Sequence, residues 1–340
     1  MTSRFRKEEI VARSIPAQVE AFVRERIARD ADIEPLAGDA STRRYFRVTA
    51  AGKTWVLSHY PEPFEVGELS FCVVRGLLSR HGLPVPEIHD HDGARGVLLL
   101  QDLGDQTLQI ALETASPAET RDFYREAIDQ LVLLQAAAAR GPQRASCFQI
   151  AFDIEKLSWE LHYFEKHFLE GLRGCDLSVE DRSTLAEAFS RLSQELASWP
   201  RVLCHRDFHS RNLMPHAGRL YWIDFQDARM GPATYDLASL LRDSYIGLDE
   251  EFVAERAEEF RQKAVPGESR ETFQRRFELM SVQRNLKALG TFGFMATQRN
   301  NKVYLPYVPG TLASARRNLL RHPELSGLHR VLSRHVEELR

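Results

Sequence analysis

Residues 202–241 read VLCHRDFHSRNLMPHAGRLYWIDFQDARMGPATYDLASLL, and they are the most informative part of the chain. They contain the triplet His205-Arg206-Asp207, then Asn212, five residues after that aspartate, and a second aspartate within Ile223-Asp224-Phe225. A single aspartate in a loop usually caps a helix or closes a turn. The combination of H-R-D, a later asparagine and I-D-F is a known catalytic pattern, so it indicates a functional loop.

A β-hairpin is predicted inside this stretch. Leu213-Met214 and residues 220–223 have the composition of two short strands, and His216-Ala217-Gly218 provides a turn between them. Antiparallel strands joined by a tight turn bring their flanking residues together. We therefore expect Asp224 to lie beside Asn212.

Phosphoryl transfer explains this set of side chains. Attack on the γ-phosphate of ATP needs a carboxylate that orients the acceptor hydroxyl and accepts its proton, together with oxygen ligands that hold Mg²⁺ across the phosphates. Asp207 is the candidate catalytic carboxylate, and Asn212 and Asp224 are the candidate metal ligands. The competing interpretation is an acidic loop exposed to solvent.

The composition is that of an ordinary globular protein. The chain has 340 residues, 43% of them hydrophobic and 27% charged, which is long enough for two lobes or two domains. Its formal net charge is −3 and its basic residues are scattered, so neither a nucleic-acid-binding face nor a basic membrane patch is indicated. We expect a monomer that acts on a small, neutral or weakly charged substrate.

Cysteine usage and hydropathy predict the compartment. The first residues, MTSRFRKEEIVARS, lack the apolar core of a secretion signal, and no stretch approaches the roughly 18 apolar residues of a membrane span. No C-x-x-C pair occurs among the four cysteines, which are Cys72, Cys147, Cys175 and Cys204. These features predict a cytoplasmic protein with reduced thiols.

The predicted secondary structure changes near Gly104. After it, almost every apolar segment has helical spacing, apart from the strand-like stretch described above. Before it, we predict a helix at 16–29, a hairpin within 35–63, a helix at 68–81, and strands at 87–89 and 96–100 with HDHDG as their turn. The sequence thus predicts an α+β fold of two lobes with a cleft between them, a small β-rich N-lobe of residues 1–103 and a larger helical C-lobe of residues 104–340.

Three segments together resemble one enzyme family. They are GDASTRRYFR at 38–47, WIDFQDA at 222–228 and QRNLKALG at 283–290. Over nearly its entire length the chain resembles the aminoglycoside phosphotransferase-like kinases, which share the two-lobed protein-kinase-like fold. Within them the three segments look like the bacterial anomeric N-acetylmuramate/N-acetylglucosamine kinases of cell-wall recycling. This resemblance implies transfer of the γ-phosphate of ATP to the C1 hydroxyl of an amino sugar, giving a sugar 1-phosphate for a nucleotidyltransferase.

The nucleotide site departs from the protein-kinase pattern in two ways. No G-x-G-x-x-G is present, so Ser41, Thr42 and the backbone of the GDASTRR turn are the candidates for binding phosphate oxygens, with a plain hairpin turn as the alternative. The lysine expected in the third strand is also missing from TWVLSHY at 54–60. Arg43 or Arg44 is the candidate replacement at the phosphates.

The adenine and sugar sites are predicted from residues near these motifs. Gln101, Asp102 and Leu103 follow the apolar run VLLL and should connect the lobes, where backbone groups bind the adenine edge; an ordinary strand end is the alternative. The candidate sugar-binding residues are His209, Gln226, Asp227 and Arg284.

Three of the four sugar candidates have a competing interpretation. Gln226 and Asp227 lie two and three residues after Asp224, but polar side chains that simply face solvent are an equally good explanation. The guanidinium fork of Arg284 suits a lactyl carboxylate, whereas a solvated helix face that also holds Lys287 is the alternative.

Three residues are assigned to support or core roles. The resemblance implies that His205 and Asp236 brace the catalytic loop, although Asp236 also favours the N-terminus of its own helix. Cys204 is expected in the core, since neighbouring strand residues point to opposite faces. The histidines of this loop lack the accompanying Cys or His pair that a zinc site needs.

Two other functions compete with an amino-sugar kinase. One is a kinase of an aminoglycoside, choline or homoserine, but a pocket for cations usually needs acidic or aromatic groups and QRNLK provides basic and amide ones. The other is an inactive kinase-like binding module, as the missing lysine would allow. The presence of Asp207, Asn212 and Asp224 together argues against inactivity. Protein-kinase activity is disfavoured because no A-P-E segment follows IDF.

Overall fold

The N-terminal lobe contains one antiparallel sheet. The computed structural model describes residues 14–36, 43–138 and 145–340. The sheet has the spatial order β1-β2-β3-β5-β4, with β1 Asp32–Leu36, β2 Arg44–Ala50, β3 Lys53–His59, β4 Ile88–Asp92 and β5 Val97–Gln101. The β2–β3 hairpin was predicted. The prediction of a turn at HDHDG was wrong. Strand β4 continues to Asp92 because it pairs with the buried strand β5, and the chain reverses at 93–96.

The two faces of this sheet have different neighbours. Helix α1, Ala17–Arg26, packs on one face against Phe46. The opposite face, which includes Leu100, is continuous with the core of the C-terminal lobe. Because successive strand residues point to opposite faces, Arg44 lies on the α1 side and Arg43 on the side of the C-lobe.

The C-terminal lobe is helical. Helix α2, Ser70–Arg80, still belongs to the N-lobe. The C-lobe helices are α3 Leu108–Leu112, α4 Pro117–Ala138, α5 Ser146–Gln149, α6 Ile154–Phe164, α7 Val179–Ser198, α8 Thr234–Leu241, α9 Glu250–Ala264, α10 Arg270–Gln298, α11 Val308–Arg321 and α12 Ser326–His335, with a π-helical segment at Glu165–Leu172 after α6. Within the described residues, no helix combines the length and apolarity needed to span a membrane.

Helix α10 is buried over much of its length and packs closely on the chain around α6. A Cβ atom on Gly293 would lie 2.1 Å from the carbonyl oxygen of His167, and one on Gly290 would lie 2.9 Å from the backbone at the end of α6. A larger residue at either position would push the helices apart. The glycines therefore set the position of the preceding turns, which contain Arg284 and Lys287.

Two short ribbons hold the H-R-D loop. Strand β6, Arg201–Cys204, pairs with β9, Arg229–Pro232, and β7, Leu213–His216, pairs with β8, Arg219–Trp222. The turn between β7 and β8 has φ values of 49° and 75°, and a two-residue hairpin turn requires such positive values. The predicted hairpin and the two-lobed α+β fold are confirmed, whereas the division at residues 103 and 104 stays a prediction.

Candidate active site

Asp236 fixes the start of the H-R-D loop. Its two carboxylate oxygens accept hydrogen bonds from the backbone N–H groups of His205, at 2.6 Å, and Arg206, at 3.0 Å. Arg206 has a φ of 88°, a left-handed conformation that is costly without such support. Burial raises the pKa of Asp236 to about 7, against the lowering effect of these two bonds. The bracing role expected of Asp236 agrees with this geometry.

His205 joins the two halves of the motif. Its Nε2 lies 3.0 Å from the carbonyl oxygen of Ile223, and its Nδ1 accepts from the N–H of Asp207 at 3.4 Å. Complete burial lowers the pKa of His205 to about 4, so the ring is neutral and Nε2 is the donor. The neutral ring thus links the segments that hold Asp207 and Asp224. Cys204, next to it, is buried in the core as predicted.

The carboxylate of Asp207 faces three cations. Lys287 Nζ lies 2.8 Å from its Oδ1, Arg284 Nη2 lies 3.8 Å from the same oxygen, and Arg206 Nε lies 3.6 Å from Oδ2. Burial alone would raise the pKa of Asp207, but the attraction of Lys287, Arg206 and Arg284 outweighs it and holds the pKa well below its usual range. The side chain is ionised and still 21% exposed, so a ligand can reach it.

Asn212 and Asp224 lie side by side. Ile223 N–H donates to the carbonyl oxygen of Asn212 at 3.0 Å, and the Asn212 side chain donates from Nδ2 to the carbonyl oxygen of Asp207 at 2.9 Å. This bond leaves the amide oxygen of Asn212 for another partner. Asp224 has a φ of 61°, and 48% of its side chain is exposed.

This pair suits magnesium. Mg²⁺ is usually bound in proteins by one or two carboxylates, with waters and substrate phosphates completing its shell. Asp224 provides a carboxylate and Asn212 an amide oxygen. The described residues contain no group of three or more His, Cys, Asp or Glu that could hold a metal ion, so the remaining ligands would come from the nucleotide and water.

Arg43 lies beside the candidate metal ligands. Its guanidinium is 5.9 Å from the ring centres of both Tyr45 and Tyr60, and its Nη2 is 3.6 Å from Asp224 Oδ1. Burial would lower the pKa of Arg43, but the facing groups, Tyr45 and Tyr60 before Asp224, raise it overall. A permanent cation therefore borders the place where phosphates would meet the metal.

Arg44 points the other way. Its Nη2 donates to the carbonyl oxygen of Ser14 at 2.5 Å, and its guanidinium lies 5.1 Å from the ring centre of Phe46 on the α1 side of the sheet. The geometry favours Arg43 over Arg44 as the replacement for the missing lysine. Ser41 and Thr42 lie outside the described residues.

The predicted connector is held by its own side chains. Gln101 exchanges hydrogen bonds with the backbone of Glu87, and Asp102 forms a two-bond ion pair with Arg47, at 2.7 and 3.1 Å. The carbonyl oxygen of Leu103 lies 3.2 Å from Nδ1 of His216 on the β7–β8 hairpin. These contacts fix the segment between the lobes, and adenine binding by its backbone stays a prediction.

The predicted sugar residues are dispersed around Asp207. Gln226 donates to Asp224 at 2.8 Å, and Asp227 pairs with Arg206 at 2.9 Å. The partly buried ring of His209 packs against Tyr245, and loss of solvent around it lowers its pKa to about 3, so it is neutral.

Arg284 is held inside the lobe rather than at an open face. It donates to the Tyr235 hydroxyl at 2.9 Å, and its guanidinium lies 4.8 Å from the centre of that ring. Only 8% of its side chain is exposed. Of the three cations, Lys287 lies nearest to the Asp207 carboxylate, and the sequence had offered a solvated helix face as the alternative for this residue. The signal was available: residues three apart on a helix share one face, so Arg284 and Lys287 point together.

A second missed residue is Arg211, next to Asn212. Its Nε donates to Gln109 Oε1 at 2.8 Å, and its guanidinium lies 4.0 Å from the ring centre of Tyr245. The N–H of Gln109 in turn donates to the carbonyl oxygen of Ser210 at 3.1 Å. The middle of the H-R-D loop is thus attached to helix α3.

Known proteins resemble this chain in sequence and in fold. The model of the phosphotransferase enzyme family matches residues 32–272. The N-acetylmuramate/N-acetylglucosamine kinase of Neisseria meningitidis serogroup B is 34% identical over 89% of this chain and 90% of its own length, and the Pseudomonas aeruginosa protein of the same name is 33% identical over 89% and 88%. The solved structure of an ADP-bound aminoglycoside phosphotransferase superposes with a TM-score of 0.60 over 88% of this chain and 98% of that chain, at 14% identity, which shows the shared fold.

Fold and site define a kinase-like phosphotransferase, an enzyme that transfers a phosphoryl group from ATP to a hydroxyl acceptor. More specifically, the chain belongs to the phosphotransferase enzyme family, since the family model matches well over half of it and the relatives exceed 30% identity. The resemblance stated from the sequence is confirmed.

Proposed function

We propose that this enzyme transfers the γ-phosphate of ATP to the anomeric C1 hydroxyl of N-acetylmuramate and N-acetylglucosamine. The observation that supports the substrate is the likeness, across about nine-tenths of the chain, to relatives named as kinases of these two sugars. C1 as the acceptor position rests on the resemblance of the three segments at 38–47, 222–228 and 283–290.

Asp207 is the proposed base. Its carboxylate is ionised, partly accessible and fixed by the braced loop, so it can accept a hydrogen bond from the acceptor hydroxyl and take its proton. An anomeric hydroxyl is more acidic than other sugar hydroxyls, so a base weakened by neighbouring cations is sufficient. In phosphoryl transfer, positioning and charge stabilisation contribute more than the strength of the base.

Asn212 and Asp224 are the proposed Mg²⁺ ligands, and Arg43 is the proposed phosphate contact. A bound magnesium ion neutralises negative charge on the nucleotide phosphates. Arg43 lies on the same side of the sheet as the cleft and within 3.6 Å of Asp224, where it can bind a phosphate oxygen. Ser41, Thr42 and the backbone at 101–103 complete the proposed nucleotide site.

The charge around Asp207 disfavours a cationic acceptor. Lys287, Arg284 and Arg206 all lie within 3.8 Å of its carboxylate, so an aminoglycoside or choline would meet like charge next to the reacting hydroxyl. A neutral or acidic sugar avoids this repulsion. His209, Gln226 and Asp227 remain the proposed sugar contacts. Arg284, which is held inside the lobe, is proposed to act through the charge it adds near Asp207. We also propose that the enzyme is cytoplasmic, because ATP is its donor, and that it is a monomer with no nucleic-acid or membrane partner.

A substrate panel tests the proposal. ATP consumption should be measured with Mg²⁺ and N-acetylmuramate, N-acetylglucosamine, glucosamine, kanamycin or choline as acceptor. Turnover with the two N-acetylated sugars and little with the three cationic compounds is the expected result. If kanamycin or choline alone is turned over, the proposed sugar substrate is wrong, whereas the assignment to the phosphotransferases still holds.

A further inference from the structure

From its contact with Asp207 we infer that Lys287 is a catalytic residue, whose ammonium group binds the acceptor oxygen and the transferred phosphoryl group during the reaction. This inference rests on the proposed sugar kinase activity. In the step concerned, the acceptor oxygen forms a bond to the γ-phosphorus while the bond from phosphorus to the β–γ bridging oxygen breaks. ADP leaves with that electron pair, and the hydroxyl proton passes to Asp207.

The position of Lys287 follows from two contacts. Its Nζ lies 2.8 Å from Oδ1 of Asp207, and an acceptor hydroxyl bound to a general base lies about 2.6–3.2 Å from that base. The ammonium group and the reacting oxygen are therefore neighbours on one carboxylate. An ammonium group has three N–H donors, and one donor to Asp207 leaves two for substrate oxygens.

The other two cations near Asp207 each bond a different group as well. Arg284 donates to the Tyr235 hydroxyl, and Arg206 pairs with Asp227 at 2.9 Å. Both lie farther from the carboxylate, at 3.8 and 3.6 Å. Lys287 also differs from the two arginines in its head group. Its ammonium is a compact charge on a flexible four-carbon chain, so it can stay close to the acceptor oxygen as the new bond forms.

The charge of the transition state is a chemical reason for a cation beside Asp207. Charge in the transition state spreads over the three equatorial oxygens of the phosphoryl group, and enzymes stabilise it with cations. The lysine in β3, whose residues 53–59 read KTWVLSH, is Lys53 at the exposed first position, and the rest of the strand has none. A lysine that reaches the phosphoryl group from the acceptor side adds to the charge that Arg43 would supply from the N-lobe side.

The inference differs from binding of a substrate carboxylate. N-acetylmuramate has a lactyl carboxylate and N-acetylglucosamine has none, whereas both have the reacting hydroxyl. A residue that contacts the reacting atoms affects kcat for both sugars equally, but a carboxylate contact changes KM for N-acetylmuramate alone.

The experiment compares Lys287→Met, Lys287→Arg and Lys287→Ala with the wild type, and uses Lys166→Met, which changes an exposed lysine, as the matched control. Steady-state kcat and KM are measured for ATP and for both sugars, and melting temperature reports folding. Lys287→Met should lower kcat about 10²-fold to 10³-fold for both sugars with KM values within about threefold of wild type, the loss typical of removing one preorganised transition-state donor. Lys287→Arg should retain more activity than Lys287→Met, and ethylammonium should restore part of kcat to Lys287→Ala but not to Asp207→Asn.

Different failures have different meanings. An active wild type with an unchanged kcat in Lys287→Met, or a loss confined to KM for N-acetylmuramate, overturns the role of Lys287 and leaves the sugar kinase intact. If Lys287→Met fails to fold, rescue of Lys287→Ala by ethylammonium tests the same point, and a folded Lys287→Ala that is not rescued contradicts it. A wild type that phosphorylates neither sugar overturns the proposed function and this inference with it.

Discussion

Lys287 and Asp207 are 80 positions apart in the sequence, yet Nζ of the lysine lies 2.8 Å from a carboxylate oxygen of the aspartate. This contact joins helix α10 to the H-R-D loop and keeps the proposed base ionised. It also places a positive charge next to the oxygen that would attack ATP. Both effects act at the place where the acceptor hydroxyl would bind.

Asp207→Asn should nearly abolish turnover while leaving ATP affinity little changed, because the carboxylate contacts the acceptor hydroxyl and not the nucleotide. General-base and positioning roles are typically worth about 10²-fold to 10⁴-fold in rate. Steady-state kcat together with ATP binding by calorimetry checks this. A variant with near-normal kcat would remove Asp207 as the base.

Asp224→Asn should shift the magnesium requirement upward several-fold, since a neutral amide is a poorer ligand than a carboxylate for a hard cation. Activity is measured across a Mg²⁺ titration at fixed ATP. Asp227→Asn, which changes the next carboxylate along the chain, is the comparison and should alter the metal dependence less. Identical Mg²⁺ curves for wild type and Asp224→Asn would exclude Asp224 from the metal site.

Arg43→Ala should raise KM for ATP about 10-fold to 100-fold, as expected for loss of a charged hydrogen bond worth about 1.5–3 kcal/mol. Arg44→Ala should have the smaller effect, because its guanidinium bonds the carbonyl oxygen of Ser14 on the far side of the sheet. KM for ATP is compared between the two variants at saturating sugar. Equal effects would contradict the assignment made from the direction of these side chains.

Acid stability should depend on Glu278, away from the cleft. Its carboxylate accepts from Gln274 and Arg321, at 2.8 and 2.7 Å, and lies 2.9 Å from His322. Burial would raise the pKa of Glu278, but the bonds from His322, Gln274 and Arg321 lower it to about 2. The pKa is depressed on folding, so the stabilisation is present above the unfolded value of about 4.3 and is lost as pH falls from there towards 2.

Glu278→Gln should therefore reduce the free energy of unfolding by about 1–3 kcal/mol at pH 7 and by less at pH 4. Urea unfolding at both values measures this, with the exposed Glu337→Gln as control. A difference that is the same at pH 7 and pH 4 would show that the carboxylate charge is not responsible.

Local patterns predicted the fold and the loop well. The turn residues predict the β7–β8 hairpin, and the hairpin in turn predicts that Asn212 and Asp224 lie close to each other. The choice between Arg43 and Arg44 could not be made from the sequence, because it depends on which face of the sheet meets α1. Once that face is known, strand alternation decides it.

Contacts between distant helices were not predictable in the same way. Lys287 has the sequence environment of a surface lysine, yet its Nζ lies 2.8 Å from Asp207, on a helix that approaches Phe164 and His167 closely at Gly290 and Gly293. Arg284 was expected to face a ligand, yet Tyr235, 49 positions earlier, holds it inside the lobe. Both outcomes depend on tertiary packing that no short motif encodes.

The position of the transferred phosphate tests the central claim most directly. After reaction of N-acetylglucosamine with ATP and the enzyme, phosphorus–proton coupling in NMR identifies the carbon that bears the phosphate. The account predicts coupling between phosphorus and the anomeric proton, and a product that no longer reduces copper because C1 is blocked. Coupling to the C6 protons with a free reducing end would contradict it.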